Sequence, residues 1–351
     1  MQRTRRPNLH DVAHLAGVSH QTVSRVLNEQ PNVRPETRER VLEAIETLGY
    51  RRSLAARALV TSRTHTLGVL VQGKPRFGPS STMLAVAQAA RDAAHYVSLA
   101  VVERPSVEET AAALEFFEEQ GVEGIVVISP TVDSLEAARS RTPGVPMVIV
   151  AAGEAPQESY WVTSVDQRLG AALATRHLLA LGHPDVVHLA GPGRWLDAAE
   201  RVAGWREERA RWGLPPADPI PANWSATRGY EAVRDLVAGE TPSAIFAAND
   251  QLALGVLRAL AEAGVSVPGR VSVIGYDDVE GAGYFTPPLT TVRQPFHTLG
   301  GRCVEILLQE INEPGAQMPA ALLRPIEPVL VVRGTTAPYT SERIEKEEGQ
   351  G

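Results

Sequence analysis

Asp11-Val-Ala-His-Leu-Ala-Gly-Val-Ser-His-Gln-Thr-Val-Ser-Arg-Val-Leu-Asn28 reads as two short helices joined by a tight turn at Gly17 and Val18. Val12, Ala13 and Ala16 are apolar at helical spacing, as are Val23, Val26 and Leu27. Gly17 suits a turn whose backbone conformation other residues adopt only at a cost. Ser19 stands where the second helix needs a side-chain oxygen for its free backbone N–H groups. Behind that cap, His20 and Gln21 occupy the first turn, and Arg25 lies one turn beyond Gln21. Polar, forked side chains at the start of a second helix are what reading base edges in a major groove requires.

The charge distribution agrees. The whole chain of 351 residues carries a net −7, which alone argues against nucleic acid. Residues 1–63, however, hold 11 Arg against 6 Asp or Glu and no Lys. A basic head on an acidic body suits a local phosphate-binding surface. The head should extend to about residue 50, its third helix beginning near Pro35, carrying Val41, Leu42, Ile45 and Leu48 inward and ending at Gly49. Residues 51–64 form a separate short segment of good helix formers, too short to persist alone in water.

From about residue 65 to 339 the pattern changes to alternating strands and helices. Short β-branched runs mark strands over Thr66–Val71, Val97–Val102, Gly124–Ile128, Met147–Ala151, Trp161–Val165, Asp185–Ala190, Ala244–Ala247 and Val271–Tyr276. Helical patterns include Gly170–Leu181, Leu252–Ala263 and Leu299–Ile311. Such alternation predicts parallel sheets covered on both faces. The region is too long for one doubly wound unit, so two lobes crossed by the chain more than once are expected. The expected fold is therefore an all-α helix-turn-helix head plus an α/β core of two doubly wound parallel-sheet lobes. Residues 340–351 are charged, lack a heptad and are expected to be a disordered tail.

Cys303, the single cysteine, precludes an intrachain disulfide and reads as a small buried side chain. No run approaches the roughly 20 apolar residues of a membrane span. The basic N-terminus lacks the apolar segment of a signal peptide, so a cytoplasmic protein is expected.

Beyond the strand ends, polar residues collect in apolar settings: Asn249-Asp250 after one strand, Tyr276-Asp277-Asp278 after another, and Arg201 after Gly191-Pro192-Gly193. Ligands of doubly wound sheets bind beyond the carboxyl ends of the strands. Asp277 as acceptor, Arg201 as forked donor, Asn249 as amide, and Trp224 and Phe296 as aromatic faces suit a sugar. Each also has a structural reading: Asp277 and Asp278 as helix caps, Arg201 as an ion-pair partner, Trp224 as core.

Asp11-Val-Ala-x-x-Ala-Gly-Val-Ser-x-x-Thr-Val-Ser-Arg-Val-Leu-Asn28, continued by Asn32-Val-Arg-Pro35-x-Thr37-Arg38 and Leu48-Gly-Tyr50, resembles the N-terminal signature of the lactose-repressor (LacI/GalR) family. The resemblance runs to about Pro338. It implies base-reading roles for His20, Gln21 and Arg25. Ser19, Thr22, Ser24, Asn28 and Thr37 become phosphate contacts or the cap beside them. Ser53–Val60 takes the place of the family's hinge helix, with Leu59 as an apolar wedge entering the minor groove. It further implies an effector cleft of Arg76, Pro79, Arg201, Trp224, Asn249, Asp277, Gln294 and Phe296, with no cofactor and no metal. Three positions depart from the family's namesake. Ile128 replaces an Asn, Ala151 replaces an Asp, and Arg76 replaces an apolar wall residue. Asp197 or Glu154 would then supply replacement acceptors.

The expected function is a sequence-specific repressor of pseudo-palindromic operator DNA, controlled allosterically by a galactoside or other glycoside inducer. A homodimer rather than a tetramer is expected, because the tail lacks an apolar heptad. The alternatives are a sugar-binding protein or a small-molecule enzyme on the same core. Neither explains the head. Leu196 occupies the third glycine slot of a dinucleotide fingerprint after Gly191-x-Gly193, and no phosphate-loop or nucleophile-elbow motif is present. His177, His183 and His188 show no metal-ligand spacing, and His183 reads as a helix terminator.

Overall fold

The computed structural model describes residues 7–27, 31–50, 63–74, 76–239 and 241–340. The chain divides into two compact units between Thr64 and His65. The first is helical: α1 spans Leu9–Ala16, α2 His20–Leu27 and α3 Pro35–Leu48. Asn8 opens α1 with a reciprocal cap. Its Oδ1 accepts from the amides of His10 (2.9 Å) and Asp11 (3.1 Å), while its own amide donates to Asp11 Oδ2 (2.7 Å). Gly17 ends α1 at φ +65°, and Ser19 Oγ accepts from Thr22 N at 3.2 Å, so the turn and its cap form as the sequence predicts. Val12, Ala16, Val23, Val26, Val41 and Ala44 close a small core. Leu42 does not join it and is 52% exposed. On α3 the inward stripe runs through positions 41, 44, 45 and 48, and Leu42 lies about 100° round from Val41.

The second unit holds two parallel α/β lobes. The first sheet, in the order β2 (Tyr96–Val102), β1 (Thr66–Gln72), β3 (Gly124–Ile128), β4 (Met147–Val150), β5 (Trp161–Thr163), is parallel throughout. The second has the order β11 (Val329–Val331), β10 (Thr290–Arg293), β9 (Ser272–Asp277), β8 (Ala244–Ala247), β6 (Val187–Ala190), β7 (Ile220–Pro221). Only β11 runs antiparallel, at an edge. β7, β10 and β11 have no counterpart in the periodicity reading. They are short edge-side strands of two to four residues, too brief to show a period.

The chain passes between the lobes three times. After β5 it enters the helix Gln167–Ala180 of the second lobe. After β10 it returns through the helix Phe296–Asn312, whose Leu299, Cys303, Ile306 and Leu307 pack under the first sheet. It leaves again before β11. Two crossings are stitched together. Asp166 N donates to Ile326 O and Ile326 N to Ser164 O, both at 2.9 Å.

Cys303 is fully buried, and burial pushes its thiol up to about 12. His183 is a tie rather than a helix terminator. Its ring bridges Ser243 Oγ (3.1 Å) and Ser272 Oγ (3.0 Å), and Gly182, at φ +88°, makes the turn beside it. Among the described residues no helix is long and apolar enough to cross a membrane. Asn28, Leu59 and the rest of segment 51–62, and the tail 341–351, lie outside the described residues.

Candidate functional site

In the head, α2 presents its polar side outward. Val23 and Val26 face the core, which leaves His20, Gln21 and Arg25 exposed on the opposite surface. The His20 ring stacks on His10, with centroids 5.5 Å apart. The Ser19 and Thr22 hydroxyls lie 3.0 Å apart, so both sit at the helix start. Thr37, in the first turn of α3, and Ser24 are part-buried. The result is one surface with a forked cation, an amide and an imidazole above a capped helix N-terminus.

The second site is a cleft of about 300 Å³ in the two-lobed core. Seven of the eight residues expected there line it: Arg76, Pro79, Arg201, Trp224, Asn249, Asp277 and Gln294. They come from both lobes. Arg76 and Pro79 begin the helix Phe77–Asp92; in the second lobe Asn249, Asp277 and Gln294 lie at strand ends, Trp224 just before the helix Ala226–Val237, and Arg201 in the second turn of the helix Leu196–Arg211. Phe296 sits one step deeper. It lines a smaller chamber with Pro79, Ile128, Ala151 and Asp197, and packs edge-on against Phe77 at 5.8 Å.

The centre of the cleft is Arg201, which is 2% exposed. Its Nε donates to Gln167 Oε1 at 3.0 Å, and Nη1 donates to Ala248 O. Nη2 lies 3.6 Å from Asp277 Oδ1 and 3.8 Å from Asp197 Oδ2. The guanidinium rests 3.7 Å from the Tyr276 ring centroid. Gln167 Nε2 donates to Gln294 Oε1 (2.8 Å), and Gln294 Nε2 to Asp277 Oδ1 (2.7 Å). This relay sets the amide orientations and leaves Asp277 aimed at the cleft.

Two carboxyls, Asp277 and Asp197, share that one guanidinium, and a third, Asp250, lies behind them. Burial pushes Asp277 up to about 6, partly offset by Arg201 and by the Gln294 bond. Asp250, beneath it, is pushed up to about 7 by burial and then by the charge of Asp277. Asp197 is also raised, chiefly by burial. Asp250 is internal scaffolding. It takes Thr291 Oγ1 at 2.6 Å and Val279 N at 2.8 Å. Asp277 holds an unusual backbone, φ +108°, at the end of β9. Such strain persists only where the surroundings impose it.

Several expectations change. Asn249 is first a helix cap: Oδ1 accepts from Leu252 N at 2.8 Å, and Nδ2 points to Trp224 O at 3.4 Å. Asp278 faces Arg293 (2.6 Å) and Arg333 (2.7 Å) and is a structural ion-pair partner. Glu154 is paired with Arg139 and is not among the residues lining the cleft, whereas Asp197 lines both chambers. Trp224 lies against Gly191, where an added Cβ would fall 2.3 Å from the indole. Its edge-to-face partner is Trp195, at 5.4 Å. The buried Trp224 Nε1 has no hydrogen-bond partner among the described residues. Trp195, Phe77, Gln251 and Gln167 were missed by the sequence reading. Trp195 was detectable as an aromatic two residues before Asp197. Gln167 has no local sign, because its role depends on contacts 34 and 127 residues away.

A helix-turn-helix head joined to a two-lobed core with a polar cleft defines a ligand-responsive DNA-binding regulator. Residues 8–53 match the bacterial regulatory proteins of the lacI family, and residues 175–336 match the periplasmic binding protein-like domain. The lactose operon repressor of Escherichia coli K12 is 36% identical over 338 residues, covering 95% of this chain and 91% of that one. The ribose operon repressor of the same organism is 32% identical, covering 93% and 98%. A crystal structure of the lac repressor dimer bound to operator and the anti-inducer ONPF superposes with a TM-score of 0.82 at 32% identity, covering 95% of this chain and all of that one. The chain belongs to the LacI family of DNA-binding transcriptional regulators.

Proposed function

We propose that the chain is an operator-binding repressor whose DNA affinity falls when a glycoside occupies the cleft. The observation that carries this is the cleft itself, in which Arg201, Asp277, Gln294 and Trp224 converge around about 300 Å³. Asp277 accepts from sugar hydroxyls, Arg201 donates, and the unpaired Trp224 Nε1–H offers a further donor. The relatives are named for operons of two different sugars, so the relationship does not select one. The inner chamber replaces an amide and a carboxylate of the family's namesake with Ile128 and Ala151. Asp197 supplies the acceptor on that side. A galactoside, another β-glycoside or a disaccharide fits this donor set.

Operator recognition rests on the exposed His20, Gln21 and Arg25, with Ser19, Thr22, Ser24, Asn28 and Thr37 holding the backbone and Leu59 wedging the central step. Leu59→Asp should abolish operator retention in a gel-shift assay and leave the core's melting temperature unchanged. Unaltered retention refutes the wedge. The chain acts as a homodimer. Exposed Leu84, Tyr96, Leu99 and Val101 on the first lobe and Leu254 and Tyr284 on the second supply apolar surface for a second copy.

The deciding measurement is a thermal-shift screen of mono- and disaccharides, repeated with Asp277→Ala and Arg201→Ala. A true effector raises the melting temperature through linkage, and both variants remove the rise. The same sugar must then release operator DNA. Tightening instead of release would make it a corepressor, and no response to any glycoside would remove the sugar reading.

A further inference from the structure

Far from the cleft, at the opposite ends of the first-lobe strands, three potential metal ligands meet. His65 immediately precedes β1, His95 immediately precedes β2, and Glu123 immediately precedes β3. These three strands are neighbours in the order β2, β1, β3, so the sheet register itself brings the residues together. The first rungs hold them in place. Tyr96 N donates to His65 O at 2.7 Å, and Glu123 N donates to Thr66 O at 2.8 Å. One ligand atom from each residue lies within 4.8 Å of the other two, and all three side chains are part-buried.

The hydrogen bonds decide what the gap between them needs. His95 Nδ1 lies 2.8 Å from Ala93 O. A carbonyl only accepts, so Nδ1 carries the hydrogen, and Nε2 is the ring atom left to face the gap. That nitrogen faces Glu123 Oε2 at 3.9 Å. Glu123 Oε1 takes the amide of His65 at 2.8 Å, while buried Oε2 has no hydrogen-bond partner among the described residues. The two atoms stand apart at a distance too long for a hydrogen bond, with room between them for a bridging ion. A buried carboxylate oxygen left in that state is costly. Two left-handed residues flank the strand starts: His65 at φ +50°, and Ala94 at φ +58°, where it closes the helix Phe77–Asp92 and turns His95 into place.

We propose that His65, His95 and Glu123 form a binding site for a divalent transition-metal ion of the Zn²⁺ class. Two imidazoles and one carboxylate are borderline ligands that suit such an ion, with a fourth position open to water. The bond from His95 to Ala93 O and the bond from the His65 amide to Glu123 are the outer contacts that orient metal ligands. The site also has a location with consequence. His65 follows directly on residues 51–64, so the ion would anchor the first residue of the core where that segment joins it. Nothing in this assignment depends on which sugar fills the cleft.

The test uses the full-length, chelator-treated chain and zinc sulfate. Equilibrium dialysis should find one Zn²⁺ per chain retained at micromolar concentration, with Mg²⁺ unable to compete. His95→Gln and Glu123→Gln should each weaken retention at least tenfold, and both should keep cooperative melting and operator binding. Co²⁺ loaded into the unmutated chain should give the visible absorption of a four-coordinate site, and Glu123→Gln should lose it. If the variants fail to fold, the Co²⁺ spectrum and stoichiometry of the unmutated chain still decide. Absence of a stoichiometric ion, or equal retention by folded Glu123→Gln, overturns the proposal.

Discussion

Arg201 and Asp277 show how a pair of residues acquires a role from its surroundings. The guanidinium is held by Gln167, Ala248 O and the Tyr276 face, so its geometry is set before any ligand arrives. Burial pushes Asp277 up to about 6, and its ionised form is the stronger acceptor for a ligand hydroxyl. Effector affinity should therefore weaken as pH falls from 7.5 through 6, and isothermal titration at pH 7.5 and 5.5 reads that change. A pH-independent affinity would take Asp277 out of the contact set. The same carboxyls affect stability. Asp250, at about 7, and Asp277 hold protons in the folded chain that the unfolded chain releases from about pH 4 upward. Their contribution declines as pH rises from about 4 to about 7. His188, buried and pushed down to about 4, has the opposite slope below its ordinary value. The difference between wild type and Asp250→Asn isolates the carboxyl effect. The melting-temperature gap should shift in favour of the variant as pH rises from 5 to 7.5.

At the scale of elements, the helix starts carry most of the chemistry. α2 owes its start to Ser19 and its burial to Val23 and Val26, which fixes Gln21 and Arg25 outward. Gln21→Ala and Arg25→Ala should each cost about 1–3 kcal/mol at their own base position and relax specificity there. Thr37→Ala should weaken all sequences alike. A binding-site selection experiment separates the two patterns. In the core, Gly191 ends the β6 region at a point where only hydrogen leaves room for Trp224. Gly191→Ala should push the indole from the wall, reduce effector affinity at least tenfold and alter Trp fluorescence, with the sheet intact. Asn249 illustrates a limit on reading single residues. Its amide belongs to the helix Asp250–Glu262, so Asn249→Ala should lower stability by about 1 kcal/mol as a lost cap.

At the scale of the whole molecule, three crossings tie the lobes, and two of them are paired through Ser164, Asp166 and Ile326. Any closure of the lobes on a ligand would have to bend these same segments. If a sugar lowers operator affinity by some factor, operator must lower sugar affinity by the same factor. Titration of sugar with and without operator DNA measures this coupling, and a sugar affinity unchanged by operator would show that the cleft does not control the head. Light scattering at micromolar concentration should give the mass of a dimer, and a tetramer would contradict the reading of the tail.

The head and the lobe architecture were legible because they rest on local rules. Gly17, Ser19 and the Val23, Val26 spacing specify a turn, a cap and a buried stripe within a few residues of each other. The strands that were found are those long enough to show a run of β-branched residues. Leu42 was misassigned because helical spacing tolerates two neighbouring stripes and only packing selects one. The Arg201–Gln167–Gln294–Asp277 relay and the His65–His95–Glu123 cluster had no local signature. Their members are distant in sequence; sheet order brings the cluster together, and the packing of helices on the second sheet brings the relay together. By itself the sequence determined the kind of protein, because helix caps, turns and periodicity are short-range properties. The tertiary structure alone decided which polar groups are buried without a partner, because burial and strand adjacency are set by parts of the chain that sequence distance does not reveal.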